Sequence, residues 1–177
     1  MQEIKDFIEV FFSKEVNKNT NEIKPDIKAY NKSINEYNEI VIDQLKFEPI
    51  TKLKDDDFYG MYKDQPNFRP RHLLKISEYS NNKYGSIWVA YVSQINPRPK
   101  RKYLSEALFI IKEQEQFKIA REYRYSDYES DGIKYEWKGR SGYQDLTFES
   151  LDGPIAIERY QEPLKDFDGL KHYNDNI

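Results

Sequence analysis

The apolar positions of the first 45 residues recur at helical spacing. Ile4, Phe7, Ile8, Phe11 and Phe12 follow the i, i+3, i+4, i+7, i+8 pattern of one helix face, and Lys5, Asp6, Glu9 and Lys14 occupy the rest. This predicts an amphipathic helix over residues 2–17, with a polar break at residues 17–21. Ile27, Tyr30, Ile34, Tyr37, Val41 and Leu45 then resume three- and four-residue steps. Pro25 sits where a first helical turn tolerates it, which predicts a second helix over residues 24–45. Neither helix is apolar all round, so each covers one side of something.

Residues 47–71 are punctuated by Pro49, Gly60, Pro66 and Pro70, which favour loop. Ile50, Leu53 and Tyr59 leave room for a short third helix. From His72 the period changes to two. Leu74 and Ile76 alternate with Leu73 and Lys75, and Asn81, Asn82 and Gly85 mark a turn. Strands follow at residues 86–95 (with Ile87, Trp88, Val89, Tyr91 and Val92), 103–112 and 117–125, the last two joined by a polar turn at 113–116. In the strand at 117–125, strict alternation puts Phe117, Ile119, Tyr123 and Tyr125 on one face with Arg121 between them. Lys118, Glu122 and Arg124 fall on the other with Ala120. A turn at 126–132 leads to a strand through Ile133, Tyr135 and Trp137. In the tail, residues 154–160 suggest an edge strand and 163–172 a turn of helix. The fold class is therefore α+β: N-terminal amphipathic helices followed by a long antiparallel sheet. The expected organisation is one domain over 1–177, with a helical part at 2–45, a sheet at 72–138 and a C-terminal extension at 139–177.

Composition narrows the chemistry. The 177 residues include no cysteine, which excludes disulfides and thiolate zinc sites. Early acidic residues and the lack of a basic, then apolar, leader argue against a secretory signal. No apolar stretch approaches the ~20 residues of a membrane span, so a cytoplasmic protein with no membrane partner is expected. The mean hydropathy of −0.94 demands a polar surface. With 28 basic against 31 acidic residues and a pI near 5.6, generic nucleic-acid binding is disfavoured. Tyr 15 and Phe 10 favour sheets and protein interfaces.

The order helix, helix, irregular segment, then a meander of long strands resembles the nuclear transport factor 2-like fold. The most similar part is residues 103–125, YLSEALFIIKEQEQFKIAREYRY. Its small-residue strand, tight polar turn and strand opening with aromatic-Lys-Ile look like the closing hairpin of that superfamily. The resemblance covers roughly residues 2–125 and implies a curved sheet wrapped into a cone; residues 126–177 run past the fold's usual end. Members include cyclases, isomerases, dehydratases, ligand-binding modules and bacterial immunity proteins, so the fold by itself does not choose among them.

Few residues offer chemistry. His72 and His172 are the only histidines, too few for a three-ligand catalytic zinc site without carboxylate help. Asp127, Glu129, Asp131 and Gly132 begin like a calcium-binding loop, but its twelfth position is Lys138 and its flanks read as strands. No metal or cofactor is expected. Arg98, Lys100, Arg101 and Lys102 form a basic loop that reads as solvated. Ser141 lacks the flanking pattern of a nucleophile elbow. Asp55, Asp56 and Asp57 form an acidic run, either a solvated loop or a contact for a basic partner.

Two classes of function compete. The first is a non-enzymatic intracellular binding protein, an immunity protein of the resembled fold that occludes the active site of a cognate, possibly basic, protein toxin. Its expected contacts are Asp55, Asp56, Asp57, Asp127, Glu129 and Asp131 with Tyr125, Tyr135 and Trp137. The second is a small-molecule-binding module or a cyclase- or isomerase-type enzyme, which needs ionisable groups with perturbed pKa inside the cone. Convergent ionisable groups inside the cone point to the second; a sealed apolar cone with a charged, aromatic outer surface points to the first.

Overall fold

The computed structural model describes residues 1–62, 71–94, 104–126 and 136–152. The backbone forms two compact units, residues 1–68 and 69–177.

In the first unit, helix α1 runs Gln2–Glu22 and does not break at residues 17–21. That stretch is polar but holds neither glycine nor proline, so nothing forces the helix to stop before Pro25. Lys18 also ties it down. Its side chain is buried, with Nζ 4.3 Å from the Phe47 ring centre and 5.3 Å from that of Tyr37. Helix α2 (Ile27–Asn38) is shorter at both ends than the expected 24–45. Asp26, not Pro25, starts it: the Asp26 carboxylate accepts the Ala29 N–H at 3.0 Å. Beyond Asn38, Val41 and Leu45 are buried as expected, but from a bridge and a 3-10 turn (Asp43–Leu45).

Two asparagines explain the change of direction. Asn38 donates to the Phe47 carbonyl (2.8 Å) and accepts its N–H (2.9 Å); Asn31 does the same with Ile50 (2.8 and 2.9 Å). They stand seven residues apart, on one face of α2, and lay the segment at 47–50 alongside the helix. Ile4, Ile8 and Phe11 of α1 are buried, whereas Phe7 and Phe12 are half-buried. Phe11 packs 6.0 Å from the Tyr37 ring. Helix α3 (Asp56–Tyr62) contains Tyr59 but begins after Ile50 and Leu53.

The second unit holds a five-stranded antiparallel sheet in the order β1-β2-β3-β4-β5: β1 (Arg71–Asn81), β2 (Gly85–Gln94), β3 (Leu104–Glu113), β4 (Gln116–Ser126) and β5 (Glu136–Gly142). The β3–β4 hairpin turns on Gln114 and Glu115, both left-handed (φ 49° and 64°), the backbone that a tight two-residue hairpin requires. The β1–β2 turn is held by Asn81 Oδ1, which accepts the N–H groups of Lys83 (2.8 Å) and Tyr84 (3.1 Å).

Three strands carry one extra residue each. Leu74 in β1, Ala120 in β4 and Arg140 in β5 have no Cα partner in the registers that jump from Leu73 to Lys75, from Ile119 to Arg121 and from Gly139 to Ser141. A bulge bends its strand and reverses the inward-outward phase beyond it. The alternation expected for β4 is corrected accordingly. Glu122 and Arg124 share the face of Phe117 and Ile119, opposite Leu108 and Glu106. Arg121, Tyr123 and Tyr125 share the face of Lys118.

On that second face Ile87, Val89, Tyr91, Ala107, Phe109, Ile111, Arg121 and Tyr123 are buried. The return segment after β5 covers it. Phe148 packs 5.0 Å from Phe109 and 4.8 Å from Tyr123, and the Asp152 N–H reaches the Ser80 carbonyl of β1 at 2.8 Å. The first face buries Ala90, Val92, Leu108, Ile110 and Ile119. Ile133, Tyr135 and the expected elements at 154–160 and 163–172 lie outside the described residues. Among the described residues no helix is long and apolar enough to cross a membrane.

Candidate functional site

The first face of the sheet carries a layer of charge within its apolar rows. In the register, Val92 of β2, Glu106 of β3 and Arg124 of β4 stand in one cross-strand row; Ala90, Leu108, Glu122 and Ser141 stand in the next. Glu106 is 5% exposed. Its carboxylate lies 2.9 Å from Arg71 Nη2 and 3.3 Å from Arg124 Nη2, so one buried anion ties β1, β3 and β4 together. A buried carboxylate needs such partners, and removing either one would leave charge uncompensated. The compensation is incomplete: Arg124 Nε is buried without a hydrogen-bond partner among the described residues.

Glu122 sits two residues along β4 from Arg124. Burial pushes its carboxyl above the ordinary glutamate range, and the nearby Glu106 carboxylate pushes the same way. The guanidiniums of Arg71, Arg140 and Arg124 pull against this without reversing it. One carboxyl thus feels three cations and still has a pKa above the ordinary glutamate range. The layer thus brings several ionisable groups together around a carboxyl with a raised pKa.

On the opposite face Arg121 is buried, donates to the Gly142 carbonyl at 3.3 Å and lies 5.4 Å from the Tyr123 ring. The lack of a side chain at Gly139 makes room for its guanidinium.

The acidic run has a local role that its sequence left open. Asp55 Oδ1 accepts the Phe58 N–H at 2.9 Å and so caps α3, while Asp56 and Asp57 occupy its first turn. All three are exposed. They belong to a segment where large apolar side chains also face water: Phe47 (43% exposed), Leu53 (37%) and Met61 (67%).

Of the remaining expected contacts, Tyr125 and Trp137 pair across β4 and β5, and their side chains lie outside the described residues. Asp127, Glu129, Asp131 and Tyr135 lie outside them altogether, as do His172 and the basic loop. His72 stands opposite Ser93 in the register. Among the described residues no three His, Cys, Asp or Glu side chains are grouped to hold a metal ion.

Glu106, Glu122 and Arg124 were missed as a group by sequence reading. Their signal was present: a lone Glu in the apolar run Leu104–Ile111, and Glu and Arg spaced two apart in the next strand. Strict alternation put the latter two on the solvent side, because it could not see the bulge at Ala120. No family model, curated protein or solved structure matches the chain.

Proposed function

We propose that the protein is a non-catalytic binding protein of the cytoplasm, an immunity protein that neutralises a cognate, basic protein toxin by covering its active site. The observation that carries this reading is a set of exposed side chains between residues 43 and 61. It combines the carboxylates of Asp43, Glu48, Asp55, Asp56 and Asp57 with the apolar side chains of Phe47, Leu53 and Met61. Acidic groups around exposed apolar anchors suit a basic partner whose active-site rim is partly apolar. Helices followed by a five-stranded antiparallel meander agree with a nuclear transport factor 2-like cone, a fold that hosts such inhibitors. Asp127, Glu129 and Asp131, with Tyr125, Tyr135 and Trp137, remain the second proposed set of contacts.

The test is binding kinetics against a candidate basic protein toxin, at two salt concentrations. Asp55 caps α3, so the charge reversal belongs at Asp56→Lys with Asp57→Lys. Association is expected to slow about tenfold and to lose salt sensitivity, since complementary charge acts on encounter. Met61→Ala is expected to speed dissociation instead. Unchanged association for the double reversal, together with loss of function on mutating the charged layer of the sheet, would refute occlusion by this segment.

A second reading has its own support. The half-buried Glu122 carboxyl among three guanidiniums suits a small-molecule site, whether a binding module or a cyclase- or isomerase-type enzyme.

A further inference from the structure

We propose that the charged layer of the sheet binds a small oxyanion, the carboxylate or phosphate group of a small molecule, through Arg124 and Arg140 beside Glu122. This deepens the small-molecule reading of the sheet and rests on it; the partner reading of residues 43–61 is independent of it.

The argument starts from unbalanced charge. Arg71, Arg124 and Arg140 bring three guanidiniums to bear on Glu122. Glu106 returns one negative charge, held by its two ion pairs. Even with Glu122 ionised, only two carboxylates face these three guanidiniums among the described residues, so the layer keeps an excess of positive charge. It also keeps an excess of donors. Arg124 Nε is buried without a hydrogen-bond partner among the described residues, an arrangement that costs free energy until an acceptor arrives.

An oxyanion supplies both missing items. Its oxygens match the planar fork of a guanidinium, and its charge offsets the excess. Glu122, whose pKa burial raises, helps whenever it holds its proton, because a protonated carboxyl donates an O–H where a carboxylate would repel. The layer is also reachable. Side-chain exposure rises from 7% at Glu106 through 13% at Arg71 to 30% at Arg124, and Arg140 is exposed. Arg121, the other buried arginine with an unsatisfied Nε, is enclosed on the opposite face by Gly139, Gly142 and Tyr123, and it offers no comparable opening.

The whole chain is titrated with inorganic phosphate and, separately, with acetate, at constant ionic strength set by chloride. Backbone NMR shifts of Glu106, Glu122, Arg124 and Arg140 report binding. Saturable shifts are expected, and Arg140→Gln should weaken them about tenfold, the loss of one charge-assisted hydrogen bond. Arg140 is exposed, so this variant carries the test even where Arg124→Gln fails to fold. Affinity should fall as Glu122 loses its proton. Among the described residues, the charged groups facing it are Glu106 on β3, Arg71 on β1, Arg124 on β4 and Arg140 on β5. Glu122→Gln should abolish the fall while keeping the donor. Saturation by phosphate alone assigns a phosphate group, and by acetate alone a carboxylate.

Shifts that never saturate with either anion, or wild-type affinity in both arginine variants, overturn the oxyanion assignment. Native mass spectrometry of the purified protein separates this from failure of the reading beneath it. An uncharged molecule retained by the wild type and lost in Glu122→Leu overturns the oxyanion class but keeps the small-molecule reading. No saturable titration together with no retained molecule overturns both.

Discussion

Replacing Gly142 by alanine tests the geometry that joins β5 to β4. Gly142 ends β5 at φ +105°, a backbone conformation that side chains rarely adopt. A Cβ there would overlap the Ala120 carbonyl oxygen and lie 2.8 Å from Arg121 Cα and 2.9 Å from Ala120 C. Those atoms are backbone, so no rotamer change relieves the contact. The conformational strain alone costs about 1–3 kcal/mol. Relief of the overlap must lift the end of β5, which breaks the Tyr143 N–H to Ala120 carbonyl bond (2.9 Å) and withdraws the Gly142 carbonyl from buried Arg121. Each loss adds about 1 kcal/mol or more. Together, Gly142→Ala is expected to cost about 3–5 kcal/mol, a large share of the 5–15 kcal/mol that holds a typical domain. Gly85→Ala is the control, because Gly85 shares a positive φ (+73°) but a Cβ there meets nothing within 4 Å. It should cost only about 1–2 kcal/mol, the conformational part alone. Gly60→Ala, in α3 with open space around it, should gain about 0.5–1 kcal/mol. Urea unfolding followed by aromatic circular dichroism measures all three. Equal midpoints for Gly142→Ala and Gly85→Ala would show that the close approach of β5 to Ala120 does not exist.

Phe11→Ala removes a fully buried ring packed on Tyr37 and should cost about 3–5 kcal/mol in the same urea assay; an unchanged midpoint refutes its place in the core. Asp55→Ala should destabilise α3 by about 1 kcal/mol through loss of its cap, seen as faster amide exchange at Phe58, while Asp55→Asn should stay near wild type. Glu122 has a carboxyl raised above its unfolded value, so the native state holds this proton more tightly than the unfolded chain. The stability it contributes is present below the ordinary glutamate range and is lost as pH rises through the folded value. Glu122→Gln, which never ionises, should therefore gain stability relative to wild type as pH rises above that range. Parallel stability curves for the two proteins would sink this account.

The helical half shows what periodicity can and cannot see. The apolar spacing located the buried stripe of α1, because Ile4, Ile8 and Phe11 need only local geometry to share a face. It misjudged both helix ends. A polar run was read as a break, yet polarity without glycine or proline ends nothing when Lys18 can lie over Phe47. Val41 and Leu45 keep helical spacing from Tyr37, yet they reach the core from non-helical backbone. What stops α2 is a pair of asparagine amides that bind Phe47 and Ile50, and such pairing depends on contacts up to 19 residues apart.

The sheet carries the same lesson into the candidate site. The first four strands were readable to within a residue or two, since β-branched and aromatic runs bounded by turn residues mark them, whereas β5 runs on to Gly142, past the expected end of the sheet at 138. The site was not readable, because it depends on which face each charge takes. With side chains alternating every residue, one inserted residue exchanges the faces. Without the bulge at Ala120, Glu122 and Arg124 would point to the face of Tyr123 and Phe148, and Glu106 would lose one of its two guanidiniums. With it, residues 71, 106 and 124 meet around a single carboxylate. A small buried residue tolerates that insertion, yet nothing in the local sequence demands it. The demand comes from the buried ion pair, because leaving Glu106 half-compensated costs more than disrupting the ladder at one alanine.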